Sequence, residues 1–290
     1  MSTIICRLRF FPVGIALLLL SACGLENEQS AAAYEQLLQR SIQALNEKDQ
    51  FAFQGMTQVV SQGVTVQAGR SFEGYVVGKD RLYIREGLNA GKTAQSSALK
   101  QPVLTFRRIS DEWAPAGEPM GVISETYRQW NPVTKLEELA NLQKTVKLDH
   151  EQPKRANEQV LRIEISEEDM TNLVASSLQA QFAQLSLERQ LEQLRGRGVA
   201  GAELGQAEAE LRQVLSRSEA SLKDMLGSLK AQGIYTLWVD RTTKLPRRLT
   251  TVSELSYLQD GKQRTETARA EYDFKDYDKE HISGTIGTAP

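Results

Sequence analysis

Cysteine is almost absent from this chain of 290 residues: Cys6 and Cys23 are the two present, so no disulfide can form in anything that follows residue 23. Histidine is as scarce. His150 sits in a polar stretch and His281 near the end, neither with an acid or cysteine at metal-ligand spacing, so both read as solvated surface groups and no metal is expected. The chain has no Gly-x-Ser-x-Gly, no His-Glu-x-x-His, no P-loop and no Asp-x-Asp-x-Asp calcium pattern. With no nucleophile–base set either, no enzyme and no cofactor are expected. A basic stripe is missing too, and the formal net charge is −2, which argues against a nucleic-acid partner. Beyond Cys23 no apolar run reaches membrane-spanning length.

What is present begins at the N-terminus. Arg7 and Arg9 precede a nearly unbroken apolar block at 10–20, and Leu20-Ser21-Ala22-Cys23 closes it. From residue 10 to residue 22 the run is too short to cross a hydrocarbon layer of roughly 30 Å at about 1.5 Å per helical residue. A basic start, an apolar core and small residues before a cut define a secretory signal. With cysteine in the first position after it, the pattern resembles the lipobox of bacterial lipoproteins. That resemblance implies cleavage after Ala22 and a diacylglyceryl thioether on Cys23, which ties the chain to the extracytoplasmic face of the cell membrane. Loss of residues 1–22 removes Arg7 and Arg9 and no acid, leaving a mildly acidic chain.

Residues 23–32 are small and polar and read as a flexible tether. Over 33–48, Tyr34, Leu37, Leu38, Ile42 and Leu45 fall at helical spacing. The period then changes to that of strands at 51–60, 70–77, 81–85 and 103–109, with polar Ser61-Gln62-Gly63 as one turn, Gly78-Lys79-Asp80 as another, 87–101 as a loop, and Ser110-Asp111-Glu112 as a turn before Trp113. Asn131-Pro132 suits a helix start, and Val133, Leu136, Leu139 and Leu142 supply its apolar side. Strand periodicity resumes at 145–149 and 159–165.

Ser166-Glu167-Glu168-Asp169 reads as a capped helix start that opens a helical insertion at 167–231. The spacing predicts two helices there. Leu173, Val174, Leu178, Phe182, Leu185, Leu191 and Leu194 mark the first. Leu204, Leu211, Leu215, Leu222, Met225 and Leu229 mark a second with near-heptad steps, the pair forming a helical hairpin. Strands follow at 234–240, 247–258 and 267–274, with Asp260-Gly261 as a hairpin turn. In the last of them Ala268, Ala270, Tyr272 and Phe274 alternate with Thr267, Arg269, Glu271 and Asp273, one buried and one wet face. The acids Glu271, Asp273, Asp276, Asp278 and Glu280 read as that wet face. Residues 281–290 read as a disordered tail.

Consecutive strands with short turns and a few helices make an α+β domain over 33–280, an antiparallel sheet with helices on one face. Tyr-Thr-Leu-Trp-Val-Asp at 235–240, Leu-Pro-Arg-Arg at 245–248 and Tyr-Asp-Phe-Lys-Asp-Tyr at 272–277 look like a recurring pattern of extracytoplasmic lipoproteins of the LolA/LppX-like superfamily, which includes poorly characterised relatives in Gram-positive bacteria. The resemblance implies a strongly curved antiparallel sheet forming an unclosed half-barrel, an N-terminal helix, helices over the concave side, and enclosure of a lipid or another hydrophobic ligand. On a curved sheet, Phe53, Tyr75, Tyr83, Phe106, Trp238 and Tyr272 are the aromatic side chains expected to line such a site. The alternative is a cell-envelope scaffold, for example in sporulation or germination, that docks a protein partner through the helical hairpin.

Overall fold

A computed structural model describes residues 22–61, 64–87, 103–109, 112–116, 130–183 and 185–279. The apolar block before Ser21, the turn residues Gln62 and Gly63, most of the loop expected at 87–101, the turn residues Ser110 and Asp111, His281 and the tail lie outside the described residues. The described residues form ten strands: β1 (Gln50–Ser61), β2 (Val64–Val77), β3 (Arg81–Glu86), β4 (Leu104–Ile109), β5 (Glu112–Pro115), β6 (Lys144–Leu148), β7 (Glu158–Ile165), β8 (Lys230–Asp240), β9 (Pro246–Gln259) and β10 (Lys262–Lys275). They also form five helices: α1 (Ala22–Asn46), α2 (Pro132–Asn141), α3 (Glu167–Ala183), α4 (Leu187–Gly196) and α5 (Gly201–Ser228).

All ten strands belong to one antiparallel sheet in the order β5-β4-β3-β2-β1-β10-β9-β8-β7-β6. β5 and β6 are its two edges, so the sheet is not closed into a barrel. Every connection joins neighbouring strands except that from β5 to β6, which passes from one edge to the other and carries α2; the β7–β8 connection carries α3, α4 and α5. The first and last strands meet at the centre, with Phe53 opposite Phe274 and Gly55 opposite Tyr272. Register shifts at Thr57–Val60 and at Trp238–Val239 mark bulges, which bend strands.

Local chemistry sets several boundaries as the residues lead one to expect. Asn131 accepts the Val133 N–H at 3.0 Å through its side chain, and Pro132 follows in the first turn of α2. Asp260 and Gly261 both take positive φ in the β9–β10 turn. Ser166 accepts the Asp169 N–H at 3.2 Å, as a cap should. The reciprocal half of the capping box is absent: the Asp169 carboxylate accepts instead from the Gln143 N–H, which ties α3 to the start of β6.

Three expectations are corrected. Helical backbone begins at Ala22, well before residue 33, and runs through the stretch read as a tether. That stretch holds Leu, Glu, Gln and Ala and no proline, a composition helices accept. The helical insertion is three helices, not a hairpin of two. Ser186 interrupts the first in an extended conformation and caps α4 by accepting the Arg189 N–H at 3.3 Å. A short strand, β5, also forms from Glu112, within the expected turn, and pairs Trp113 with Arg108.

The inner face of the sheet is set by alternation. Phe51 and Phe53 of β1, Phe72, Gly74 and Val76 of β2, Leu82 and Ile84 of β3, Leu237 of β8, Leu249 of β9 and Tyr272 and Phe274 of β10 all point to one side and are buried. Leu38, Ile42 and Leu45 of α1 and Val133, Leu136 and Leu139 of α2 close that side. At roughly 1.5–3 kcal/mol for each large apolar side chain removed from water, this cluster carries most of the stability of the fold.

Candidate functional site

The inner face divides into two halves of different chemistry. The near half, toward the β2–β3 and β8–β9 turns, is filled with rings. Phe51 lies 6.4 Å from Phe53 and 6.2 Å from Phe274 between centroids, and Phe53 lies 6.5 Å from Phe72. Phe72 in turn meets Tyr272 at 5.5 Å and stacks on Trp130 at 5.1 Å, the planes 8° apart. Two glycines make this density possible, because the rings of Phe72 and Phe53 occupy the space where Cβ atoms on Gly55 and Gly74 would stand. No large side chain can be added here.

The far half, toward the β1–β2 and β9–β10 turns, is lined differently. Thr57 and Val59 of β1, Thr251 and Ser253 of β9, and Ala268 and Ala270 of β10 occupy neighbouring positions of the inner face, and all are half-buried. Helices of the insertion flank this half. Met170 of α3 sits against Gly233, and Thr171 accepts the Ala231 N–H at 3.0 Å, pinning α3 to the start of β8. At the other end Ser228 accepts the Leu258 N–H at 2.8 Å, fixing the end of α5 to β9. α5 has a stripe of half-buried positions at Leu204, Glu208, Leu211, Leu215, Ser218, Leu222 and Met225 and no fully buried one. Beyond the small side chains, the β9–β10 hairpin ends in a polar group: Tyr257 donates its O–H to Glu266 at 2.9 Å, opposite Arg264.

The six aromatic candidates are split by this geometry. Phe53, Phe106 and Tyr272 are on the inner face, at most 1% exposed, within the packed near half. Burial drives the Tyr272 phenol far above its ordinary range. Tyr75 and Tyr83 are register partners on the outer face, stacked at 4.7 Å, where burial and Tyr83 push the Tyr75 phenol up to about 12. Trp238 is also on the outer face. Its indole N–H donates to the Pro153 carbonyl at 3.0 Å, and the Arg248 guanidinium lies 5.8 Å from its ring centre. The expectation that all six line one concave site is therefore corrected: three face outward, and three are core. The small residues of the far half lacked any aromatic signal. Ala268 and Ala270 had one other mark, their alternation with Arg269 and Glu271.

Two further features surround the site. Where α1 crosses the β6 edge, an open groove of about 930 Å³ lies between Ala31, Ala32 and Glu35 on one side and residues 142–146 and 164–166 on the other. Lys144 closes its floor, 3.2 Å from the Glu35 carboxylate and 3.1 Å from the Leu142 carbonyl. At the β8–β9 corner the buried Asp240 carboxylate accepts the Thr242 and Thr243 N–H groups at 3.0 and 2.9 Å and the Arg247 guanidinium at 3.0 Å. The Thr243 N–H leads in holding its pKa down at about 2.

The C-terminal acids are paired separately. Asp273 meets Arg248, Asp276 meets Lys279, and Asp278 meets Lys48. Among the described residues no group of three His, Cys, Asp or Glu side chains converges, and no helix is long and apolar enough to cross a membrane. Cys23 lies in the first turn of α1.

No family model matches the chain, and no curated protein does. Among solved structures, the lipoprotein LppX of Mycobacterium tuberculosis is similar with a TM-score of 0.33 at 10% identity, covering 86% of this chain and 97% of its own. LprF of Mycobacterium bovis is similar with a TM-score of 0.33 at 8% identity, over 90% of this chain and 97% of its own. A LolA-superfamily protein of Nitrosomonas europaea reaches 0.25 at 8% identity, over 84% and 94%.

Proposed function

We propose that this chain is a non-catalytic lipoprotein, held at the extracytoplasmic face of the membrane through Cys23, that binds a lipid or another hydrophobic ligand on the far half of its inner sheet face. The observation that carries the reading is the contrast along that face. Strands β1 and β10, which pack Phe53, Phe274 and Tyr272 wall to wall in the near half, continue with Thr57, Val59, Ala268 and Ala270, and β9 beside them with Thr251 and Ser253, all half-buried; Leu255 and Tyr257 follow only toward the hairpin end. Interiors pack at nearly crystalline density. A sheet face lined with small side chains next to one lined with rings supports a ligand as the missing volume. Leu20-Ser21-Ala22-Cys23 supports the anchor; two acyl chains give stable attachment where one is marginal.

Native mass spectrometry of the full chain, purified from membranes of its own host in mild detergent, tests this. Discrete mass additions that organic solvent extracts are expected. Protein free of such additions at every detergent concentration sinks the reading. A second reading, docking of an envelope protein, is favoured by the seam of α5, none of whose positions is fully buried among the described residues. On that reading, replacing Leu211 and Leu215 with Glu removes a co-purifying protein and leaves the lipid content unchanged.

A further inference from the structure

Several arginines of this fold are held in ion pairs on or beside the sheet. Arg85 meets Glu73, Arg108 meets Glu137, Arg162 meets Glu164, Arg247 meets Asp240 and Arg248 meets Asp273. Arg264 is different. It lies on β10 at an inner-face position, four residues before Ala268 and eight before Tyr272, opposite Tyr257 of β9. Its Nε is buried and has no hydrogen-bond partner, and no carboxylate stands in ion-pair contact with it among the described residues. Glu266, the next residue on the same face, is held by the Tyr257 hydroxyl instead. Burial and Glu266 push that phenol up to about 12, so it keeps its proton and continues to donate.

A buried donor left unpaired is costly, more so when it is charged, and such groups are rare in native proteins. From Arg264 the inner face of β10 runs past Glu266, which the Tyr257 hydroxyl engages, and Ala268 to Ala270, about 20 Å along the strand at about 3.3 Å per residue. A polar end and a floor of small side chains thus lie in line. Building on the ligand-binding reading above, we infer that Arg264 receives the anionic headgroup, carboxylate or phosphate, of an amphiphile whose hydrocarbon lies along the small side chains of the far half. The guanidinium is suited to this because Nε and one Nη present parallel donors to two oxygens of one anion.

The test compares cis-parinaric acid with its methyl ester, two fluorescent probes with the same chain that differ in charge, on the delipidated full chain at mildly alkaline pH. The acid is expected to bind about tenfold tighter, in line with a charge-assisted pair, and Arg264→Gln to bring the two within about twofold by weakening the acid alone. Arg264→Lys, which keeps the charge and loses the fork, retains part of the preference. Melting curves of both variants show that the fold is intact. Equal binding of acid and ester to the parent chain, or a preference that survives Arg264→Gln, overturns the headgroup assignment and leaves ligand binding standing. Failure of both probes to bind overturns both. Saturation by inorganic phosphate with neither probe bound assigns the arginine to a free anion and overturns the amphiphile.

Discussion

Gly55 and Phe72 are register partners on β1 and β2, and the Phe72 ring lies over the glycine in the space that a Cβ would need. The Glu271 carbonyl closes the other approach to the same point. An alanine here must push both a ring at the centre of the aromatic cluster and the backbone of β10, and neither is the free end of a flexible side chain. Gly55→Ala is expected to destabilise the chain by about 3 kcal/mol, at the upper end for an overpacked core. Gly205 of α5 has no atom within 4 Å of its own Cβ position, so Gly205→Ala is expected to stabilise by up to about 1 kcal/mol through helix propensity. Urea midpoints of the two variants moving in opposite directions is the result to look for.

Asp240 predicts a specific acid sensitivity. Its folded pKa of about 2 lies below the ordinary value of 3.8, so it contributes stability in full above about pH 4. That contribution, about 2 kcal/mol at most, is lost as pH falls from about 4 to about 2. Asp240→Asn keeps an oxygen for the Thr242 and Thr243 N–H groups and removes the titration. Stability of the parent should therefore fall more steeply than that of the variant across this window. Parallel curves for the two proteins would count against the assignment.

Filling the far half should displace a ligand without disturbing the near half. Ala268→Trp places an indole among Val59, Ser253 and Ala270, and is expected to reduce extractable lipid by about tenfold with little change in melting temperature. The outer face supplies the control. Tyr83→Phe and Trp238→Phe alter residues that point away from that surface and should leave lipid content unchanged. Extraction followed by quantitative mass spectrometry reads all three.

Cys23→Ser removes the one thiol beyond residue 6 and with it any thioether at that position. The variant is expected to leave the membrane fraction and appear in the medium or the periplasmic wash, with its melting temperature retained. Membrane association that persists after a high-salt wash would falsify the anchor.

Much of this architecture was legible because the deciding chemistry is local. Asn131-Pro132, Asp260-Gly261 and Ser166 each act through a hydrogen bond or a dihedral angle within three residues. The facing of the aromatic residues was not legible. Period-two alternation says that Tyr75 and Val77 share a side, but not which side is the interior. In this sheet both sides carry rings: the 149–157 loop covers Trp238 and Val160 from outside, held by the Pro153 carbonyl and by the Asp149 carboxylate, which accepts the Glu151 N–H at 2.9 Å. The break at Ser186 was hidden for another reason. Leu185, Leu187 and Leu191 continue a helical spacing, and a single serine ends the helix only where its side chain finds a backbone N–H to accept. The near-half glycines are understood through their neighbours across β1 and β2, contacts that exist only once the strands are paired.

The pairing of β1 with β10 means that the centre of the sheet cannot close before β10 has been made. Ten residue pairs join Ala52–Ser61 of β1 to Glu266–Lys275, segments more than two hundred residues apart along the chain. Contacts of such separation cost loop-closure entropy before they return any energy, so folding of this domain is expected to be slow and to wait for the whole chain. A nascent or truncated polypeptide lacking β10 carries Phe51 and Phe53 on an open strand edge in the middle of its own core, a state that invites pairing with other chains. Until β10 is in place, the chain cannot hide its own centre.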